Sequence, residues 1–246
     1  MTDIKEESSI SIGALHSHSK GDERLYGRRR AHPLRERQQR LLSYYLPRLK
    51  FPISFSETPY SAFGRTPKQI WLEIGFGGGE HSLAQHKANP EIGYIACEVF
   101  ENGICSLLSS LADSTSDEME ASIPDMLRVW NEDARILIKK LPSESIDRLF
   151  LMFPDPWPKA RHAKRRFVNA DRLPLLAHIL KHKAYWHIAS DDLTYQEWVK
   201  QVMSDQPYFE KILETTTKPQ DWPNTRYEQK AIRAGRTPIY WIFQKK

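Results

Sequence analysis

Five acidic residues of this 246-residue chain stand in or just after apolar runs: Glu73, Glu98, Asp133, Asp155 and Asp191. Such a run reads as a buried strand, and in open α/β sheets ligands collect beyond the carboxyl ends of strands. The first acid carries the strongest signal. Ile70-Trp71-Leu72-Glu73-Ile74 leads into Gly75-Phe76-Gly77-Gly78-Gly79 and then Glu80-His81. Glycine at 75, 77 and 79 permits positive φ and removes the Cβ that would block a ligand. Strand, glycine turn and helix N-terminus together form a cradle for a small molecule. It is not a phosphate loop, because no Gly-Lys-Ser/Thr follows, and Glu80 stands where a dinucleotide fingerprint needs a third glycine. Carboxylates on both sides of the glycines repel a pyrophosphate and suit an ammonium or a sulfonium.

The other acids extend the pattern. Glu98 lies roughly 20 residues beyond the glycines, the distance at which nucleotide folds place a ribose-binding carboxylate. Asn131-Glu132-Asp133-Ala134 follows a third apolar run. Asp133 accepting from an exocyclic amine, with the Ala134 backbone on a ring nitrogen, would hold an adenine; Asp133 as a helix cap is the competing reading. Asp155 sits in Pro154-Asp155-Pro156-Trp157-Pro158-Lys159, where the prolines fix the turn. Arg161, His162, Lys164, Arg165 and Arg166 follow it, a group suited to a nucleotide base on a phosphate chain. Asp191 is open between base binding and capping the helix after it. Thr225-Arg226-Tyr227-Glu228 opens a short helix in which Arg226 and Glu228 alone would make a local ion pair.

These residues need a strand–helix repeat to hold them. The pattern predicts strands over 70–74, 94–99, 126–130, 146–153, 184–189, 207–214 and 238–243. Helices are predicted over 81–88, 102–112, 134–140, 167–180 (interrupted near Pro174), 193–203 and 225–234. Residues 1–22 read as a disordered tail, 23–55 as a basic arm that orders on nucleic acid followed by a short helix from Gln38 to Leu49, and 56–246 as the catalytic domain. Residues 52–68 read as an irregular connector, and 113–124 as an acidic insertion. Hydrophobic content of 40% with 27% charged is that of a globular protein, and the net charge of +5 favours a polyanionic partner. No apolar run approaches the ~20 residues of a membrane span, and the N-terminus lacks the apolar core of a secretory signal. Cys97 and Cys105 lack metal spacing and read as packed thiols in a reducing compartment, so no metal is expected.

Taken together and in order, the glycine loop, Glu98, Asn131-x-Asp133-Ala134, Phe153-Pro-Asp-Pro-Trp-Pro-Lys159, the basic run, Asp191 and Thr225-Arg-Tyr-Glu228 resemble the tRNA (guanine-N7-)-methyltransferases of bacterial type. The resemblance covers roughly residues 45–246. It implies a Rossmann-like class I methyltransferase fold, a seven-stranded mostly parallel sheet with its last strand antiparallel. It implies S-adenosylmethionine as donor and a guanine of the tRNA variable loop as acceptor. It puts Glu73, Gly75, Gly77, Glu98, Asn131, Asp133, Ala134 and Asp155 at the cofactor, with Asp155 also the catalytic residue. It puts Lys159, Arg161, Asp191, Thr225, Arg226, Tyr227 and Glu228 on the tRNA side. It further implies a cytoplasmic enzyme, monomer or homodimer, with no obligatory protein partner.

Overall fold

The structure, a computed structural model, describes residues 29–113 and 122–246. The expected tail, the start of the basic arm and most of the acidic insertion lie outside these residues. Seven strands form one sheet: β1 (Gln69–Ile74), β2 (Ile92–Cys97), β3 (Leu127–Trp130), β4 (Ile146–Met152), β5 (Leu180–Ser190), β6 (Phe209–Thr215) and β7 (Ile239–Lys245). Their order is β3-β2-β1-β4-β5-β7-β6, and β7 runs antiparallel to both its neighbours. The remaining pairs are parallel. Parallel strands covered on both faces are apolar along their whole length, and β1 is buried from Ile70 to Ile74. The expected seven-stranded sheet with an antiparallel last strand is the one observed.

The helices are α1 (Glu36–Leu49), α2 (Glu80–Ala88), α3 (Glu101–Ala112), α4 (Ala134–Ile138), α5 (Leu173–Ile179), α6 (Leu193–Ser204) and α7 (Arg226–Arg233). Among the described residues no helix is long and apolar enough to cross a membrane. Two local expectations are corrected. Pro174 does not interrupt a helix over 167–180: it lies in the first turn of α5, where its missing N–H costs no hydrogen bond, and the chain before it forms only a short 3-10 turn. The fifth strand starts at Leu180, directly after α5, and Lys183 at φ +64° is the irregular residue that allows so early an entry.

Two packing features shape the ground beneath the glycine loop. A Cβ built on Gly103, inside α3, would stand 2.1 Å from the Gly77 carbonyl oxygen, so helix backbone rests on loop backbone. His187 of β5 is buried between Phe150 (ring centroids 5.0 Å) and Trp222 (5.2 Å), and neither ring nitrogen has a hydrogen-bond partner. Burial first, then the nearby cationic side chains of Arg148 and His81, push its pKa down to about 3.

Each feature predicts a measurable outcome. Gly→Ala in a helix normally adds about 0.5–1 kcal/mol of stability. Against a backbone oxygen the overpacking term of about 1–3 kcal/mol is larger. Gly103→Ala therefore lowers the melting temperature, whereas a rise would mean α3 is free to shift. For His187, the unfolded ring gains a proton near pH 6.5 and the folded ring does not. Stability is thus fully present above about pH 6.5 and is lost as pH falls towards 3, by up to about 1.4 kcal/mol per pH unit. His187→Phe keeps an aromatic ring and removes the titration. Urea unfolding at about pH 7 and pH 5 should show the variant losing roughly 2 kcal/mol less than the parent over that interval.

Candidate active site

The loop after β1 turns through three glycines of positive φ: Gly75 at +72°, Gly77 at +58° and Gly79 at +86°. Only at Gly75 is the place of a Cβ open, with no described atom within 4 Å. At Gly77 a Cβ would meet the Tyr227 ring at 2.7 Å, at Gly78 the Arg226 guanidinium at 1.4 Å, and at Gly79 the Leu107 side chain at 2.7 Å. The sequence suggested glycines cleared for a ligand. Gly75 fits that reading, while Gly77, Gly78 and Gly79 are cleared for other parts of the protein.

Glu73, expected at the cofactor, borders the larger of the two cavities beside this loop and is also bound into the fold. Oε1 lies 3.1 Å from His81 Nδ1, and Oε2 accepts from the Tyr94 hydroxyl (2.8 Å) and from the Ser82 hydroxyl. Burial opposes its ionisation, but the His81 charge and the three donors hold the carboxyl below its ordinary range.

Glu98 follows β2 and stands between two adjoining cavities. Its carboxylate accepts from the backbone N–H groups of Gly77 (2.8 Å), Val99 (2.8 Å) and Phe100 (2.9 Å). Burial pushes its carboxyl up, those N–H groups pull it back, and Asp155 adds to the rise. A smaller cavity of about 140 Å³ is lined by Gly75, Glu98, Asp133, Ala134, Arg165 and Phe167. A larger one of about 750 Å³ is lined by Gly75, Gly77, Glu98, Asp155, Thr225 and Tyr227, among others. Gly75 and Glu98 border both.

At the small cavity the capping reading of Asp133 is realised. Its side chain accepts from Arg135 N at 2.9 Å, and the Arg135 guanidinium also clamps it, Nη2 to Oδ2 at 2.6 Å. Asn131 is not on this wall. It borders a third cavity with Arg29, Arg30 and Glu101, and its buried Oδ1 has no hydrogen-bond partner.

The proline turn after β4 is held in an uncommon shape. Phe153 (φ +51°) and Trp157 (φ +44°) both occupy the left-handed region, and the peptides are trans. Phe153 N donates to Ala189 O at 2.8 Å. Arg166, expected among the phosphate-binding residues, is buried instead: it donates to Pro156 O (3.1 Å) and Trp157 O (3.0 Å) and lies over Trp198. The turn so held presents Asp155 exposed at the mouth of the large cavity. Lys159 and Arg161 are exposed beside it, while Arg165 stacks on Trp157 and lines both cavities.

Asp191 pairs with Arg236, Nε to Oδ2 at 2.6 Å, and Asp192 takes the cap of α6 by accepting from Tyr195 N. Thr225 caps α7, its hydroxyl accepting from Glu228 N at 3.2 Å. The local Arg226–Glu228 pair is not formed. Arg226 reaches Glu80 at 2.6 Å, and Glu228 is buried against the Tyr240 hydroxyl and Lys218 (3.3 Å). Arg135, Arg166, Arg236 and Lys218 were not singled out as partners, because one cation in a basic stretch reads like another until the fold orients it.

Comparison with known proteins identifies the family of the chain. The family model described as "Putative methyltransferase" matches residues 67–240. A tRNA (guanine-N(7)-)-methyltransferase of Granulibacter bethesdensis is 56% identical, covering 91% of this chain and 96% of that protein. One of Rhodospirillum rubrum is 42% identical, covering 92% and 89%. Among solved structures, the 16S rRNA methyltransferase KamB shares the fold at a TM-score of 0.52 and 12% identity, covering 73% of this chain and 89% of that one. A glycine loop bordered by carboxylates, a rigid Asp-bearing proline turn and these relatives over nine-tenths of the chain lead to one conclusion: the chain belongs to the tRNA (guanine-N7-)-methyltransferase family.

Proposed function

We propose that this chain transfers a methyl group from S-adenosylmethionine to N7 of a guanine in the variable loop of tRNA. The observation that carries the reading is the large cavity, which gathers the open Gly75, Glu98, Asp155, Thr225 and Tyr227 on its walls, with the exposed Lys159 and Arg161 following the Asp155 turn in the chain. The chemistry of these groups fits the cofactor. Glu98, already accepting three N–H bonds, retains acceptor capacity for ribose hydroxyls. Asp133 and Ala134 border the adjoining small cavity, suited to the adenine end. Glu73, on the wall of the same large cavity as Glu98, keeps a negative charge on the cofactor's side.

When bound, S-adenosylmethionine supplies a methyl on a sulfonium, which the lone pair of guanine N7 takes while the carbon–sulfur pair stays on sulfur. N7 carries no proton, so the chain needs no general base. Its work is alignment and the stabilising of a positive charge that moves onto the purine. Asp155, at the mouth of the large cavity, takes that role in this reading, and its carboxylate also matches the N1 and amino donors of guanine. Asp191 orients Arg236 and joins the base contacts through its second oxygen. Lys159 and Arg161 meet phosphate. The reading carries with it a cytoplasmic location and action without an obligatory protein partner.

Incubation with methyl-labelled cofactor and bulk tRNA, followed by cleavage specific for 7-methylguanosine, should place the label on one variable-loop guanine. Label on another base or atom would sink the proposal. Asp155→Ala should lower kcat by about a hundredfold or more while the affinity for cofactor stays within about threefold. Full turnover in that variant would remove Asp155 from the chemistry. Lys159→Ala with Arg161→Ala should reduce the slope of log affinity for tRNA against log salt by about one per lost phosphate contact. Arg165 is left intact in this test because it belongs to the cavity walls. An unchanged slope would assign both cations to solvent.

A further inference from the structure

The segment that the resemblance gives to tRNA is packed onto the cofactor loop. Arg226 spans the loop: its Nε meets Glu80 Oε1 of α2 at 2.6 Å, and its Nη2 donates to Ser106 Oγ of α3 at 3.1 Å. Between these ends the guanidinium lies over Gly78, and the three atoms nearest a Cβ built there all belong to Arg226. Tyr227 does the same at Gly77 and also lines the large cavity. The far end of the segment is fixed. Glu228 is 3% exposed, accepts from the Tyr240 hydroxyl of β7 and pairs with Lys218. Thr225 caps α7, so the segment enters the helix in one orientation.

We propose that Arg226 is a positioning residue for the cofactor loop, a clip that ties α7 to α2 and α3 across Gly78, and not a ligand of tRNA. An exposed ion pair alone contributes little. This one also joins three separate elements and covers the backbone that must keep its shape for the cofactor, so its loss frees the loop. Gly78 has no need of positive φ, and its lack of a side chain is explained by the clip. The conclusion rests on the cofactor assignment above, which the first arm of the experiment tests by itself.

Binding of S-adenosylhomocysteine is measured by calorimetry without tRNA, and KM for tRNA is measured separately. The parent protein must bind; if it does not, the cofactor assignment fails and the clip with it. Given binding, Arg226→Ala and Glu80→Gln should each weaken it by about three- to tenfold, with KM for tRNA within about twofold of the parent. Gly78→Ala displaces the guanidinium and should weaken binding similarly. In the Arg226→Ala background the same alanine meets no guanidinium and should add little, a non-additivity that general damage to the fold would not produce. Unchanged binding with a raised KM for tRNA would overturn the clip and return Arg226 to the tRNA side. Fully additive losses for Gly78→Ala and Arg226→Ala would overturn it as well.

Discussion

The site depends on a carboxylate bound into the fold at its wall. Glu73 is 1% exposed at the end of a central strand, where an unpartnered charge would cost several kcal/mol. It is tolerable only because His81 and Ser82 from the first turn of α2 and Tyr94 from β2 all aim at it. Those bonds fasten strand, helix and neighbouring strand at one point. The chain between Glu73 and His81 then has to turn within a few residues, which is why its glycines take positive φ. The charge expected at the ligand is thus also a structural bolt, and it stands at the cavity wall because of those bonds.

Crowding finishes what the bolt begins. From one side α3 presses its backbone onto the loop at Gly103. From the other, Arg226 and Tyr227 lie over Gly78 and Gly77. The loop is held from below, beside and above, and the open face at Gly75 is what remains for a ligand. Rigid surroundings of this kind align a methyl donor with an acceptor without a proton-transferring group, because alignment supplies much of what such a reaction requires.

Much of this was legible in the sequence, and the reasons differ by residue. The strands were legible because a sheet covered on both faces needs continuous apolar runs. The glycine loop and the proline turn were legible because few residues allow those backbones. Asp133 and Asp192 as caps were within reach of sequence rules, since a carboxylate before a helix has a local target. Long-range partners were not. Arg166 and Lys164 look alike in a basic run, yet one lies buried under the turn and the other is exposed. Arg236 finds Asp191 across 45 positions of sequence, a distance that spacing arguments do not cover. Gly103 did leave a weaker signal, a glycine in the first turn of α3, where a better helix former would be expected unless something must come close.

The proline turn shows why that one buried arginine matters to the chemistry. Two non-glycine residues of positive φ, Phe153 and Trp157, bracket Asp155. Each costs of order 1–3 kcal/mol and persists only where its surroundings insist. The insistence comes from the Phe153 bond to Ala189 on one side and from Arg166 gripping the Pro156 and Trp157 carbonyls on the other. Had Arg166 remained at the surface as one more phosphate contact, the turn would lose the donors that hold it. Asp155 would then be a mobile surface carboxylate, with much of its electrostatic effect screened by water. Held still at the mouth of a walled cavity, it meets the requirement of the proposed reaction, a preorganised charge that needs little reorganisation as the methyl arrives. The basic run therefore divides its labour. Its exposed members are available to attract a polyanion, and its buried member makes the acid beside them rigid enough to use.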